Sequence, residues 1–510
     1  MSTLENPAAR FPFDNSYARL PEHFFARLEP TPVSEPRLVR LNRSLALDLG
    51  LDPEDLASPA GVGILAGNSV PDGAEPLAMA YSGFQFGHWA GQLGDGRALL
   101  LGELSGRDGV RYDVQLKGSG PTPFSRRGDG RAALGPVLRE YILGEAMFAL
   151  GIATTRSLAA VTTGENVYRQ AGPVPGAVLT RVARSHVRVG TFEFFASRGD
   201  DEAVRVLANY MIDRCYPGAI ADDSSPRSVD TYLELLRQVI DRQAELIASW
   251  QAIGFIHGVM NTDNLSIAGE TIDYGPCAFM DSYHPDTVYS SIDHMGRYAY
   301  KNQPGIAHWN LGNFTRTLLG IVGVEIGADK KPKDEAALAR VQAVLDTFPE
   351  RFAHHAHVQW QRKLGLAESM EGDEALAEDL LEIMSANAAD FTLTFRGLCD
   401  AETDHAAARD QFRQPEAFDA WARRWRDRLS REQRSASERA ASMRAASPAF
   451  IPRNHLVEEV IRAAEDQGDF GPFEELVTVL NTPYLDQPGR ERFAQPPRPE
   501  QVVRQTFCGT

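Results

Sequence analysis

Cysteine is scarce: the chain of 510 residues holds four, Cys215, Cys277, Cys399 and Cys508, with no CxxC pair. That excludes a disulfide-built scaffold and a zinc ribbon, and it points to a reducing, cytoplasmic setting. Long apolar runs are missing as well. No stretch approaches the ~18 consecutive apolar residues of a membrane span, and the N-terminus has no signal-peptide core, so no membrane association is expected. Basic side chains are outnumbered, 52 against 69 acidic, leaving a formal charge of −17. Such a chain has no general affinity for nucleic-acid phosphates or anionic lipid, so phosphate chemistry must be confined to a local cluster of cations. The remainder is ordinary for a globular protein, 43% hydrophobic and 24% charged. Its length suits about two to four folding units.

Residues 1–76 mix short apolar groups with proline and glycine, ending in Pro71-Asp72-Gly73-Ala74-Glu75-Pro76, and read as an N-terminal arm or subdomain. Residues 77–200 are strand-rich. An apolar run covers 98–101, and Arg111–Lys117 alternates, with Tyr112, Val114 and Leu116 on one face; strands follow at 157–161 and 177–182. Between these pairs, 135–148 reads as an amphipathic helix, with Pro136 at its second position, Val137, Tyr141, Met147 and Phe148 near helical spacing, and Gly151 as its stop. Residues 201–465 are mainly helical, as at 232–252, 335–345, 374–386 and 456–465, and 466–510 form a C-terminal tail. The expected class is α+β. Eight arginines against three acids at 421–446 read as an exposed helix face or a partner surface.

The richest chemistry lies in His257-Gly258-Val259-Met260-Asn261-Thr262-Asp263-Asn264-Leu265, followed by Thr271-Ile272-Asp273-Tyr274-Gly275. A kinase catalytic loop is written H-R-D-L-x-x-x-N and its metal motif D-F-G. His257 and Asn264 keep that spacing, and Asp273-Tyr274-Gly275 imitates the second motif. Mg²⁺ takes hard oxygens, one or two from protein and the rest from phosphates and water, so Asn264 and Asp273 are candidate ligands, for Mn²⁺ also. The slot of the kinase aspartate holds Val259, which cannot accept a proton; Asp263 is the nearest carboxylate able to act as base. Residues 261–264 are equally good turn formers.

Gly91-Gln92-Leu93-Gly94-Asp95-Gly96 lets backbone amides approach a polyanion, and it also suits a plain hairpin turn. Lys117 ends a strand and Glu140 sits on the next helix, the order of the kinase lysine and its glutamate partner, or of two solvated charges. Arg126-Arg127-Gly128-Asp129-Gly130-Arg131, Arg181, Arg184 and Arg188 supply guanidinium groups for a triphosphate, or line solvated loops. The order of all these elements together favours a nucleotide cleft.

With Phe13-Asp14-Asn15-Ser16-Tyr17, Tyr81-Ser82-Gly83-Phe84-Gln85-Phe86-Gly87, Gln115-Leu116-Lys117-Gly118-Ser119-Gly120, Asp273-Tyr274-Gly275-Pro276-Cys277-Ala278-Phe279-Met280-Asp281 and Asn310-Leu311-Gly312-Asn313-Phe314, the sequence resembles, over nearly its whole length, the selenoprotein O family, called YdiU in bacteria, of kinase-fold protein adenylyltransferases. The resemblance implies a bilobal protein-kinase-like fold, with a small β-rich N-lobe at 77–200 and a large helical C-lobe at 201–465. It implies ATP reversed relative to a kinase, AMP transfer to Ser, Thr or Tyr hydroxyls of proteins, and release of pyrophosphate. It further implies nucleotide contacts from Gly94, Gly96, Arg97, Lys117, Asp129, Gly130, Arg181, Arg188 and Asp273, with Asp263 as proton acceptor and Asn264 and Asp273 as Mg²⁺ ligands.

Two other readings stay open: a divergent kinase moving the γ-phosphate, and a catalytically silent nucleotide-binding scaffold. Family members with selenocysteine carry it near the C-terminus, where this chain has Cys508; Cys277 and Cys508 read either as two unrelated thiols, which spacing alone favours, or as a redox-sensitive bridge. Tyr283, Tyr289, Ser290 and Ser291 are expected sites of self-modification. His354, His355 and His357 read as a polar helix face rather than a metal site.

Overall fold

Alternation over Arg111–Lys117 does make a strand, and the strand lies in the middle of a sheet. The computed structural model describes residues 10–169, 172–220, 227–324 and 334–507. In chain order its strands are β1 (Phe25–Arg27), β2 (Arg37–Leu41), β3 (Leu77–Met79), β4 (Gly83–Gln85), β5 (His88–Ala90), β6 (Ala98–Ser105), β7 (Arg111–Lys117), β8 (Ala132–Ala133), β9 (Arg156–Arg169), β10 (Gly172–Ala183), β11 (Phe255–Ile256) and β12 (Ala278–Phe279). The main sheet runs β1-β3-β6-β7-β10-β9-β2, with β8 on β10 and every pair antiparallel. β4–β5 and β11–β12 are separate two-stranded pairs. With its many helices, the protein is α+β.

Period-two alternation assigns the two faces of the sheet. Val114, Leu116, Val178 and Val182 pack against Leu45, Leu56 and Leu65 of the helices at 43–66. Ala177 and Leu179 face the other way, onto helix Leu134–Ala149. Gly151, at φ 77, follows the end of that helix. Phe148 leaves its apolar face and lies exposed beneath the Arg156 guanidinium, 3.3 Å from the ring centroid.

Segments from the first 76 and the last 45 residues are built into this unit. β1 and β2, from the stretch read as an arm, form the two edges of the sheet. Gly471–Leu480, from the stretch read as a tail, is a helix that sets Phe473 edge-on against Tyr141 at 5.5 Å. Strands of three and five residues are too short to show periodicity, so their composition alone suggested a loose arm.

The helical part has two cores. Val229–Ala252 and Gln303–Thr317 bury Leu235, Leu236, Val239 and Phe314 in one, while Phe391, Phe395, Trp421 and Trp425 fill the other. Each full burial of such a side chain contributes about 1.5–3 kcal/mol. The arginine-rich stretch ties helices together: buried Arg428 bonds Asp373 at 2.6 Å, buried Arg439 pairs with Glu402 at 3.4 Å, and Arg424 and Arg444 pair with Asp379 and Asp400. Of the histidines, His355 approaches Asp241 at 3.2 Å and His357 bonds Ser369 at 2.9 Å.

Candidate active site

β11 and β12 clamp the ends of a loop that carries both kinase-like motifs, pairing Phe255 with Phe279 and Ile256 with Ala278. Inside it, His257 Nε2 meets the Ile272 carbonyl at 2.9 Å and its ring stacks on Trp250, tying the first motif to the second. Residues 261–264 do form a turn, with the Asn264 N–H bonded to the Asn261 carbonyl at 3.0 Å. The turn presents chemistry as well. Asn264 Nδ2 donates to the Val259 carbonyl at 3.1 Å, which leaves Oδ1 as the available end of the amide.

Lys117 pairs with Leu179 across β7 and β10, so Arg181 lies two residues along on the same face, toward the helix that supplies Glu140. Lys117 Nζ reaches Glu140 at 2.6 Å and Asp273 Oδ1 at 2.9 Å; Arg181 bonds the same Glu140 and reaches Asp273 Oδ1 at 2.9 Å. Burial opposes ionisation of Asp273, but Lys117, Arg181 and Arg97 overcome it and hold the carboxyl well below its usual range. Glu140 is lowered too: Arg181 and Lys117 outweigh its burial. Asp273 sits at φ 66, a region non-glycine residues seldom occupy, and is held there by the cluster. Both cations take Oδ1, so Oδ2 and the Asn264 oxygen remain as two hard donors, a set that fits Mg²⁺.

Asp263 is the opposite case. Burial raises its carboxyl to about 6, against the pull of Arg188. Oδ2 accepts from Gln85 Nε2 at 3.2 Å, and the buried Oδ1 has no partner among the described residues. Arg188 donates to the Asp263 carbonyl at 3.0 Å and lies over the Tyr81 ring at 4.6 Å. Gly83 passes so close that an added Cβ would stand 2.8 Å from Oδ1.

Behind the turn, Glu193 accepts the Thr262 hydroxyl at 2.6 Å through Oε2, its Oε1 has no partner among the described residues, and burial pushes its carboxyl from 4.5 up to about 7. The folded-state value exceeds the unfolded one, so the contribution of the protonated form is complete below about pH 4.5. It is lost as pH rises through about 7, roughly 3 kcal/mol over that window. Glu193→Gln keeps the bond to Thr262 without the charge and should flatten the fall in melting temperature between about pH 5 and pH 8. An unchanged slope would contradict this.

The glycine loop packs closely. A Cβ on Gly94, at φ 115, would stand 2.4 Å from the Phe124 ring, and one on Gly130, at φ 65, would stand 2.1 Å from the Gly120 carbonyl group. Asp129 pairs with Arg169 at 2.8 Å and accepts the Arg131 N–H at 2.9 Å. Gly94, Gly96, Arg97, Lys117, Asp129, Gly130, Arg181, Arg188, Asp263, Asn264 and Asp273 all line one cleft of ≈ 770 Å³. Its walls carry seven lysine and arginine side chains against four aspartates, a local positive excess in a chain of charge −17. That is the cation cluster a polyphosphate requires.

Several cleft residues were missed in the sequence: Tyr81, Gln85, Asp95, Phe124 and the pair Tyr168 and Arg169. Asp95 lies in the glycine loop 91–96 and Gln85 in the string 81–87, whereas nothing local marks Tyr168. Arg184 is absent from the cleft; its N–H bonds Glu270 at 3.0 Å. Tyr283, Tyr289 and Ser290 are buried, which removes them as accessible modification sites. Cys277 is fully buried and its thiol is pushed up by burial; Cys508 lies outside the described residues.

Comparison with known proteins places this geometry in a family. The family model described as protein adenylyltransferase SelO matches residues 7–481. The chain is 60% identical over 502 residues to the protein nucleotidyltransferase YdiU of Bradyrhizobium diazoefficiens, covering 98% of this chain and 99% of that protein. It is 58% identical over 507 residues to the protein of the same name from Rhodopseudomonas palustris, covering 99% and 100%. With the matched span holding every residue of the cleft, the chain belongs to the SelO family of protein adenylyltransferases.

Proposed function

We propose that the cleft binds ATP with its α-phosphate toward Asp263 and transfers AMP to Ser, Thr or Tyr hydroxyls of proteins. In this reading the strand-rich residues 77–200 and the helical residues 201–465 act as the two lobes of a kinase-like fold. The observation that carries it is the exchange of roles along the catalytic loop. Val259 lines the cleft where a kinase has its aspartate, and of the four carboxylates lining that cleft it is Asp263 that keeps a buried oxygen without a partner among the described residues.

Asn264 and Asp273 would hold Mg²⁺ or Mn²⁺, and the ion, when bound, neutralises phosphate charge. The chain's own residues supply the rest. Lys117, Arg181 and Arg188 are fixed by buried partners, so their charge is oriented before the nucleotide arrives and little reorganisation is needed as charge shifts in the transition state. Asp263 Oδ1 accepts the proton of the acceptor hydroxyl; that oxygen bonds to the α-phosphorus, the bond from the α-phosphorus to its bridging oxygen breaks, and pyrophosphate leaves. Holding acceptor and phosphorus in line supplies much of the remaining rate.

ATP labelled separately on the α- and γ-phosphorus tests this. With a protein acceptor, α-label is expected on the protein and γ-label in pyrophosphate. Retention of γ-label alone would establish a kinase, and binding with no label transferred a silent scaffold.

A further inference from the structure

The turn that bears Asp263 is gripped by the β4–β5 hairpin. Its strands pair Gly83 with Ala90, Phe84 with Trp89 and Gln85 with His88, closed through Phe86 and Gly87 at φ 51 and 83. Such a two-residue turn matches the right-handed strand twist and makes the hairpin stiff. The Phe84 N–H donates to Thr262 Oγ1 at 2.7 Å, the Phe86 N–H to Asn261 Oδ1 at 3.0 Å, and Gln85 to Asp263. The hairpin is thus registered to the catalytic turn by three hydrogen bonds.

Its outer face is apolar and uncovered. Phe84 lies between Trp89 and Trp309, ring centroids 5.0 and 5.3 Å away, and these tryptophans are 43% and 37% exposed. The Arg297 guanidinium lies over Trp309 at 4.8 Å, and Ile292 and Met295, both exposed, stand on the loop leading to it. Gln85, Phe86 and Ile292 also line the cleft, so the patch is continuous with the place where Asp263 awaits its acceptor. Clustered exposed apolar groups mark interaction surfaces, and tryptophan and arginine are the side chains that most often anchor them. Arg297 and Arg198, the latter bonded to the Gly91 carbonyl at 3.1 Å, form no ion pair among the described residues, in a chain whose net charge is −17.

We propose that this ridge docks the acceptor protein: a segment near the modified hydroxyl that places an apolar side chain on Trp89 and Trp309 and a carboxylate on Arg297. The inference rests on the AMP-transfer reading above. It explains how an acidic enzyme holds a protein substrate without repelling it, because the Arg297 guanidinium stands beside Gly87, next to the cleft-lining Phe86.

The test uses synthetic peptides with one hydroxyl residue, flanked at varied spacing by Leu and Glu or by Ala and Lys. The wild-type chain should favour Leu/Glu peptides by about tenfold in kcat/KM. Trp89→Ala and Trp309→Ala should erase the preference through KM, with kcat and the KM for ATP unchanged. Arg297→Glu should transfer the preference to Lys-bearing peptides, a reversal that general loosening of the fold does not produce. Equal use of all peptides by the wild type, or a preference that survives in all three variants, overturns the proposal. So does an intact preference with loss of a dimer in sedimentation, which would assign the ridge to a second copy. If the wild type transfers AMP to no acceptor, the transfer reading itself fails; transfer without preference sinks only the docking ridge.

Discussion

Replacing Asp273 by alanine should lower AMP transfer by about 10³-fold or more, the scale on which preorganised electrostatic groups act. Two effects combine. One hard oxygen is lost from the proposed metal pair, and Lys117 and Arg181 keep only Glu140 between them, so one buried cation is left uncompensated. Breaking a buried ion cluster by removing one partner costs about 3 kcal/mol or more. The melting temperature should therefore fall along with activity. Asp273→Asn separates the contributions: the side chain keeps its shape and an oxygen, so turnover should still collapse while part of the stability returns. Transfer assays and thermal melts of the two variants, read together, check this; activity within tenfold of wild type in Asp273→Ala would refute the role.

Asp263→Asn should act in the reverse sense on stability. Its carboxylate is held against a burial penalty that raises it to about 6, so a neutral isostere relieves strain and the melting temperature should hold or rise. The general base is gone, and turnover should drop by about 10²–10⁴-fold. Nucleotide affinity, which the account assigns to the glycine loop and the cations, should stay within about threefold of wild type, a change of less than 1 kcal/mol. Calorimetric titration with ATP and a transfer assay on the same preparation separate these quantities. Unchanged turnover would remove Asp263 from the mechanism; lost ATP binding would recast it as a binding residue.

Much of the site was legible because its parts are local strings. Residues 257–265 and 271–275 carry their spacing within one loop, and the order of glycine loop, strand lysine and helix glutamate survives in the linear chain. What the strings lacked were partners far away in sequence. Nothing near Asp263 reveals that Gln85 bonds it, 178 residues earlier, or that Gly83 leaves room for it. Glu193 offered a usable hint, a single charge in the apolar helix Val189–Ala196, yet its partner Thr262 becomes visible only in space.

The fold shows the same limit. Alternation gave the bounds of β7 and the direction of its apolar face, but not that Asp113, Gln115 and Lys117 on the other face are buried as well. Their partners come from other parts of the chain: Arg214 and His186 pair with Asp113, Asp95 accepts from Gln115, and Glu140 and Asp273 pair with Lys117. Short edge strands and a helix late in the sequence were read as arm and tail because local composition does not register what they cover.

The most direct measurement is a structure of the chain with Mg²⁺ and an ATP analogue whose α,β-bridging oxygen is replaced by methylene. The α-phosphorus is expected nearest Asp263 Oδ1, with the β- and γ-phosphates lying away from it among the glycine loop and the arginines. A γ-phosphorus nearest Asp263, with the α-phosphate deep in the cleft, would contradict it.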